Sequence, residues 1–189
     1  MHTKYYPIST RNRCRIIISL LALLTAIELI NMATGRSLNQ FGIAPRQIQS
    51  LPGILAAPFI HGSLMHLISN AIPLAVFSFL LMMHGFIRYL VVSLWVILVG
   101  GGMVWLLGRE AMHIGASGVI YGYFAYLVVA GFLAKKIKLL LISLFVMLGY
   151  GGMIWGVLPT SPYISWESHL FGAVSGVIAA FIWGRKSEK

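Results

Sequence analysis

The sequence predicts an all-α membrane protein, a bundle of six transmembrane helices with both termini in the cytoplasm. Three observations carry this. Of the 189 residues, 59% are hydrophobic and only 10% charged, where a soluble domain carries about 25% charged residues; mean hydropathy is +0.88. The apolar residues fall into six continuous runs, at 16–34, 64–83, 89–107, 117–134, 139–158 and 168–184. Lysine and arginine are divided unevenly between the connections on the two sides. Together these exclude a soluble, a disordered or a secreted disulfide-rich protein.

Each run is close to the ~20 residues that a helix needs to cross ~30 Å of hydrocarbon. Continuous rather than alternating hydrophobicity favours helices over a barrel. The first run is too long for a cleavable signal, and no small-residue cleavage site follows Met32. The connection 35–63 is too long for a turn. It carries Pro45, Pro52 and Pro58 and a moderately apolar stretch from Leu51 to Ile60, and is expected to lie partly in the interface. The fourth and sixth runs are the shortest. No linker or repeat divides the chain, which predicts one domain over 1–189 with a short basic N-terminal segment, 1–15.

The chain has 14 Lys+Arg against 4 acidic residues, a net charge of +10. Eleven of the 14 fall on one side: Lys4, Arg11, Arg13, Arg15, Arg88, Lys135, Lys136, Lys138, Arg185, Lys186 and Lys189. Only Arg36, Arg46 and Arg109 fall on the other. This asymmetry places both termini in the cytoplasm and explains the basic excess through topology rather than nucleic-acid binding. Helices two, four and six then begin at the outer leaflet. The acids are Glu28, Glu110, Glu167 and Glu188, and there is no aspartate. A Ser-His-Asp triad, an aspartate pair and most magnesium sites are excluded. The single Cys14 excludes an internal disulfide and a cysteine metal site. No metal and no cofactor is expected.

Polar side chains at membrane depth are functional candidates by default. Helix two opens with His61, His66 and Asn70, helix four with Gly115-Ala116-Ser117-Gly118 and Tyr121, and helix six with His169, followed by Gly172 and Gly176. His66 and Asn70 share a helix face, as do Ser117 and Tyr121. All sit in the first turns of even-numbered helices, at one depth near the outer face. A hydroxyl, a candidate base and amide or imidazole donors are what nucleophilic acyl transfer requires. Gly172-xxx-Gly176 is a small-xxx-small pair suited to packing helix six on helix four, which would bring His169 to Ser117. The remaining polar residues read more plainly. Glu28 is expected to make a structural polar contact, Glu167 to lie on the surface, His84 to be interfacial and His113 to be solvated in an outer loop. Gly184, near the inner end of helix six, is expected to tolerate a side chain.

This joint pattern on helices two, four and six resembles the rhomboid intramembrane serine proteases. The resemblance covers the whole six-helix span. It implies hydrolysis of peptide bonds in or beside the transmembrane segments of substrate proteins by a Ser-His dyad without a carboxylate. Ser117 would be the nucleophile and His169 the general base. His66 and Asn70, with the Ser117 N–H, would form the oxyanion hole. Tyr121 would pack on the His169 imidazole, Gly115 would line the hole, and His61 would be structural. It further implies a minimal bacterial architecture in the inner membrane, with the bilayer and transmembrane protein substrates as partners. Many members carry a Trp-Arg pair where this chain has Leu55-Ala56-Ala57-Pro58-Phe59-Ile60, and a glutamate where it has Met83-His84-Gly85-Phe86.

Two alternatives stand beside this reading. A rhomboid-like protein that binds transmembrane helices without cutting them is disfavoured because Ser117 and His169 are both present. A transporter or channel would place polar residues along the whole path across the bilayer, whereas here they cluster at one face.

Overall fold

The computed structural model describes residues 8–161 and 164–184. Lys4, Arg185, Lys186, Glu188 and Lys189 lie outside the described residues. Six long helices follow in order: α1 Thr10–Ala33, α2 Leu64–Met82, α3 Phe86–Leu107, α4 Ser117–Leu133, α5 Ile137–Val157 and α6 Trp166–Gly184. All but α4 are long and apolar enough to cross a membrane, and α4 is a shorter apolar helix of 17 residues. The chain is a multi-pass, all-helical membrane protein. Ser9 and Ser63 cap α1 and α2, their side chains accepting the backbone N–H of Asn12 at 3.3 Å and of His66 at 3.0 Å, which satisfies donors that a helix start leaves open. α5 tightens to a 3₁₀ run over Gly151–Val157.

α4 is the hub of the bundle. It is apolar on all sides, and such a helix is stable only where every face is covered. It packs against α2, α3 and α5, and most extensively against α6, burying Ile120, Tyr123, Tyr126 and Leu127 among others. α1 lies at the periphery, packed on α2, and leaves Ile18, Leu29 and Ile30 exposed.

The α4–α6 contact is made by backbone. A Cβ on Gly172 would overlap the Gly118 carbonyl, and one on Gly176 the Gly122 carbonyl. Gly172 and Gly176 thus rest on the backbone of Gly118 and Gly122, and close approach of this kind is how membrane helices gain packing energy. The expectation for Gly184 is corrected. A Cβ there would meet Ala130 Cα and Cβ at 3.0 Å, because α6 stays close to α4 to its far end.

The turn between α2 and α3 also departs from expectation. His84 keeps its place at the end of α2 but is buried within the protein, edge-on to Tyr126 with ring centroids 5.7 Å apart. Burial, then the Arg88 charge, push its pKa down to about 4. Arg88 is buried too and donates to the Trp183 carbonyl at the end of α6.

Glu28 is buried in α1 and takes a 2.6 Å salt bridge from Arg36. Arg36 and Asn31 also donate to the His61 carbonyl, at 3.2 and 3.0 Å. The connection 35–63 folds into short helical turns, among them Ser37–Phe41, Gly53–Ala56 and Ala57–Phe59, with Phe41, Ile48 and Leu55 exposed. Backbone contacts anchor it: Ile43 forms an antiparallel bridge with His113, and the Ala57 carbonyl accepts the Gly115 N–H at 2.9 Å.

Candidate active site

The starts of α2, α4 and α6 surround a cavity of about 1090 Å³ whose walls include His66, Asn70, Ser117, Tyr121 and His169. Five residues named from sequence therefore share one space. His61, Gly115, Gly172 and Gly176 do not line it; they stand behind its wall.

Ser117 is the first residue of α4, after the cap Ala116. First-turn N–H groups have no acceptor within their own helix, so the Ser117 N–H is available to a ligand. Among the described residues its hydroxyl makes no hydrogen bond, neither back to its helix nor to His169. Serines within membrane helices commonly bond back to backbone; Ser117 does not. Hydrogen bonds between nucleophile and base are often loose before substrate binds.

His169 is buried and held from two directions. Its ring stacks on Tyr121, with centroids 4.1 Å apart and planes 7° apart. Its Nδ1 lies 2.7 Å from the Gly156 carbonyl oxygen. A carbonyl can only accept, so Nδ1 carries the proton and Nε2 keeps a lone pair. Gly156 escaped the sequence reading, because a backbone acceptor on a 3₁₀ run leaves no mark in residue type.

His66 is held in the complementary way. Its Nδ1 accepts from the Gly62 N–H at 3.5 Å, which leaves the proton on Nε2. That nitrogen lies over Gly115, where a Cβ would sit 2.7 Å from it. Gly115 has φ +112°, a conformation that only glycine adopts easily. Asn70 donates one amide N–H to the His66 carbonyl at 2.8 Å, and its second remains for the cavity. His61 is fully buried, edge-on to His66 at 5.1 Å, with its Nε2 3.5 Å from the Ala116 N–H. Burial and the neighbouring His66 push its pKa down to about 4, so it is a neutral acceptor for that N–H.

Two expectations are corrected here. Glu167 is not on the surface; it is 2% exposed and faces Arg109, with Arg109 Nε 3.4 Å from its Oε1. His113 is not solvated; it is buried, with Nδ1 against the Ser165 hydroxyl and Nε2 3.2 Å from the Arg109 carbonyl. Burial lowers its pKa. Both follow from loop 108–116 folding down onto the start of α6.

Fold and site define a helical membrane protein whose serine and histidine share one cavity at one end of the bundle. The chain belongs to the rhomboid family: the model of the Rhomboid domain matches residues 49–186. An uncharacterized protein of Mycobacterium tuberculosis is 36% identical over 182 residues, 92% of this chain and 76% of its own. One of Mycobacterium leprae is 37% identical over 182 residues, 92% of this chain and 72% of its own.

Proposed function

We propose that the protein is an intramembrane serine endopeptidase that cuts peptide bonds in or next to the transmembrane segments of other membrane proteins. The observation that carries this is the fixing of His169 by the Gly156 carbonyl, which leaves Nε2 as a base in the cavity that Ser117 lines. A backbone acceptor replaces the carboxylate of a triad, in keeping with a chain that has no aspartate.

Ser117 Oγ attacks the scissile carbonyl carbon while His169 Nε2 takes its proton. The oxyanion meets three donors: the Ser117 N–H, the His66 Nε2–H and the free N–H of Asn70. His169 then protonates the leaving amine and the C–N bond breaks. Water attacks the acyl-serine, with His169 again taking the proton, and collapse breaks the ester bond as His169 returns that proton to Ser117 Oγ, freeing the acid and restoring both residues. Tyr121 keeps the imidazole plane fixed throughout. No metal and no cofactor enters.

The same reading sets α4 as a sixth spanning helix and both termini in the cytoplasm of a bacterial cell membrane. The basic residues Arg11, Arg13, Arg15 and Lys135, Lys136, Lys138 at the end away from the cavity support that orientation, and the mycobacterial relatives support a bacterial membrane. The deciding experiment is fluorophosphonate labelling of the purified protein in wild type and Ser117→Ala, beside cleavage of a transmembrane substrate. Labelling and cleavage that both vanish in the variant are expected; cleavage that survives in Ser117→Ala overturns the assignment.

A further inference from the structure

One buried charge takes no part in this chemistry. Both oxygens of Glu167 lack a hydrogen bond among the described residues, a costly state for a carboxylate unless another charge offsets it. Arg109 provides that charge at 3.4 Å, and Glu167 lies in the first turn of α6, where the helix dipole favours a negative group.

The geometry gives this pair a purpose. Arg109 opens the loop that runs to Ser117, and its Nη2 donates to the Ile164 carbonyl at 2.7 Å, just ahead of α6. His113, four residues further along the same loop, adds a second link. Its Nε2 faces a carbonyl and so carries the proton. Its Nδ1 therefore accepts from the Ser165 hydroxyl, which in turn pairs with Ser168 at 2.6 Å. The loop that delivers the serine and the helix start that delivers the histidine are thus tied by polar links independent of the glycine packing deeper in the bundle.

We propose that Arg109 and Glu167 form a clamp, assisted by His113 and Ser165, that sets the distance between His169 and Ser117. Glu167 is a positioning residue. It lies two residues before His169, whose Nδ1 is bonded to Gly156 instead, and acts by fixing where α6 begins. The inference rests on the Ser117–His169 reading.

The test is the rate of fluorophosphonate labelling of the full-length protein in detergent, per folded molecule and well below each variant's unfolding temperature. Misplacing a catalytic group by 1 Å costs about 100-fold; losing half of a clamp, with Glu167→Gln or Arg109→Gln, should slow labelling by about 10-fold. The double variant should be no slower than the slower single one, because removing both charges leaves none buried alone. Glu167→Asp should recover most of the rate, and Glu167→Gln should lower kcat on a transmembrane substrate with KM unchanged. Ser165→Ala, which breaks only the second link, should slow labelling less than Glu167→Gln and serves if the charge variants do not fold. Wild-type labelling rates in Glu167→Gln, or in Ser165→Ala should that variant be the one used, overturn the clamp, as do single effects that multiply in the double variant. Absence of Ser117-dependent labelling in wild type overturns the dyad itself, a distinct result.

Discussion

Tyr121 and His169 lie face to face, 4.1 Å between centroids and 7° from parallel, while the Gly156 carbonyl fixes the imidazole edge at 2.7 Å. Stack and hydrogen bond leave the ring one orientation, with Nε2 toward the cavity. The contribution of Tyr121 is then its ring rather than its hydroxyl. Tyr121→Phe should retain most cleavage, and Tyr121→Ala should lose roughly 10- to 100-fold through misplacement of the base. Equal loss in the two variants would shift the role to the hydroxyl.

Ser117→Ala and His169→Ala should each remove cleavage by several orders of magnitude, as in other serine hydrolases. Glu110→Gln is the matched control, since Glu110 pairs only loosely with Arg46 at 3.8 Å and its side chain is 91% exposed. It should cut at the wild-type rate in the same assay.

Asn70→Ala should lower kcat by roughly 10- to 1000-fold, the range for deleting one oxyanion donor, while labelling of Ser117 persists. Single-turnover kinetics would separate the acylation step from product release. Full turnover would remove Asn70 from the site.

Gly172→Val should impair cleavage strongly, although residue 172 does not line the main cavity. Its side chain would strike the Gly118 carbonyl and push α6 from α4, carrying His169 away from Ser117. Gly102→Val is the control, because nothing lies within 4 Å of a Cβ there. Thermal unfolding in detergent should accompany both. A folded Gly172→Val of wild-type activity would show that this packing does not place the base.

Stability should depend on pH through His84. Its pKa is lowered by burial to about 4 from 6.5, so the folded state resists a proton that the unfolded chain accepts. The contribution is fully present above pH 6.5 and drains away as pH falls toward 4, a loss of about 3 kcal/mol. His84→Phe should unfold with a shallower dependence between those limits. Parallel unfolding curves for variant and wild type would exclude His84 as a source.

The sequence by itself determined the helical membrane class, the order of the helices and the candidate site residues. Hydropathy is local, and the polar side chains His66, Asn70, Ser117, Tyr121 and His169 stand out wherever the surrounding chain is apolar. Packing of helix six through Gly172 and Gly176 was legible for the same reason, since small residues four apart mark one face. What only the tertiary structure decided depends on segments distant in the chain. His113 and Glu167 look exposed from their neighbours in sequence and His84 interfacial, and all three are buried, by the first connection, loop 108–116 and α4. The matching glycines Gly118 and Gly122 acquire their partners only when α4 meets α6. The acceptor that fixes His169 is a backbone carbonyl at Gly156, a group that every residue carries, so chain geometry alone could select it.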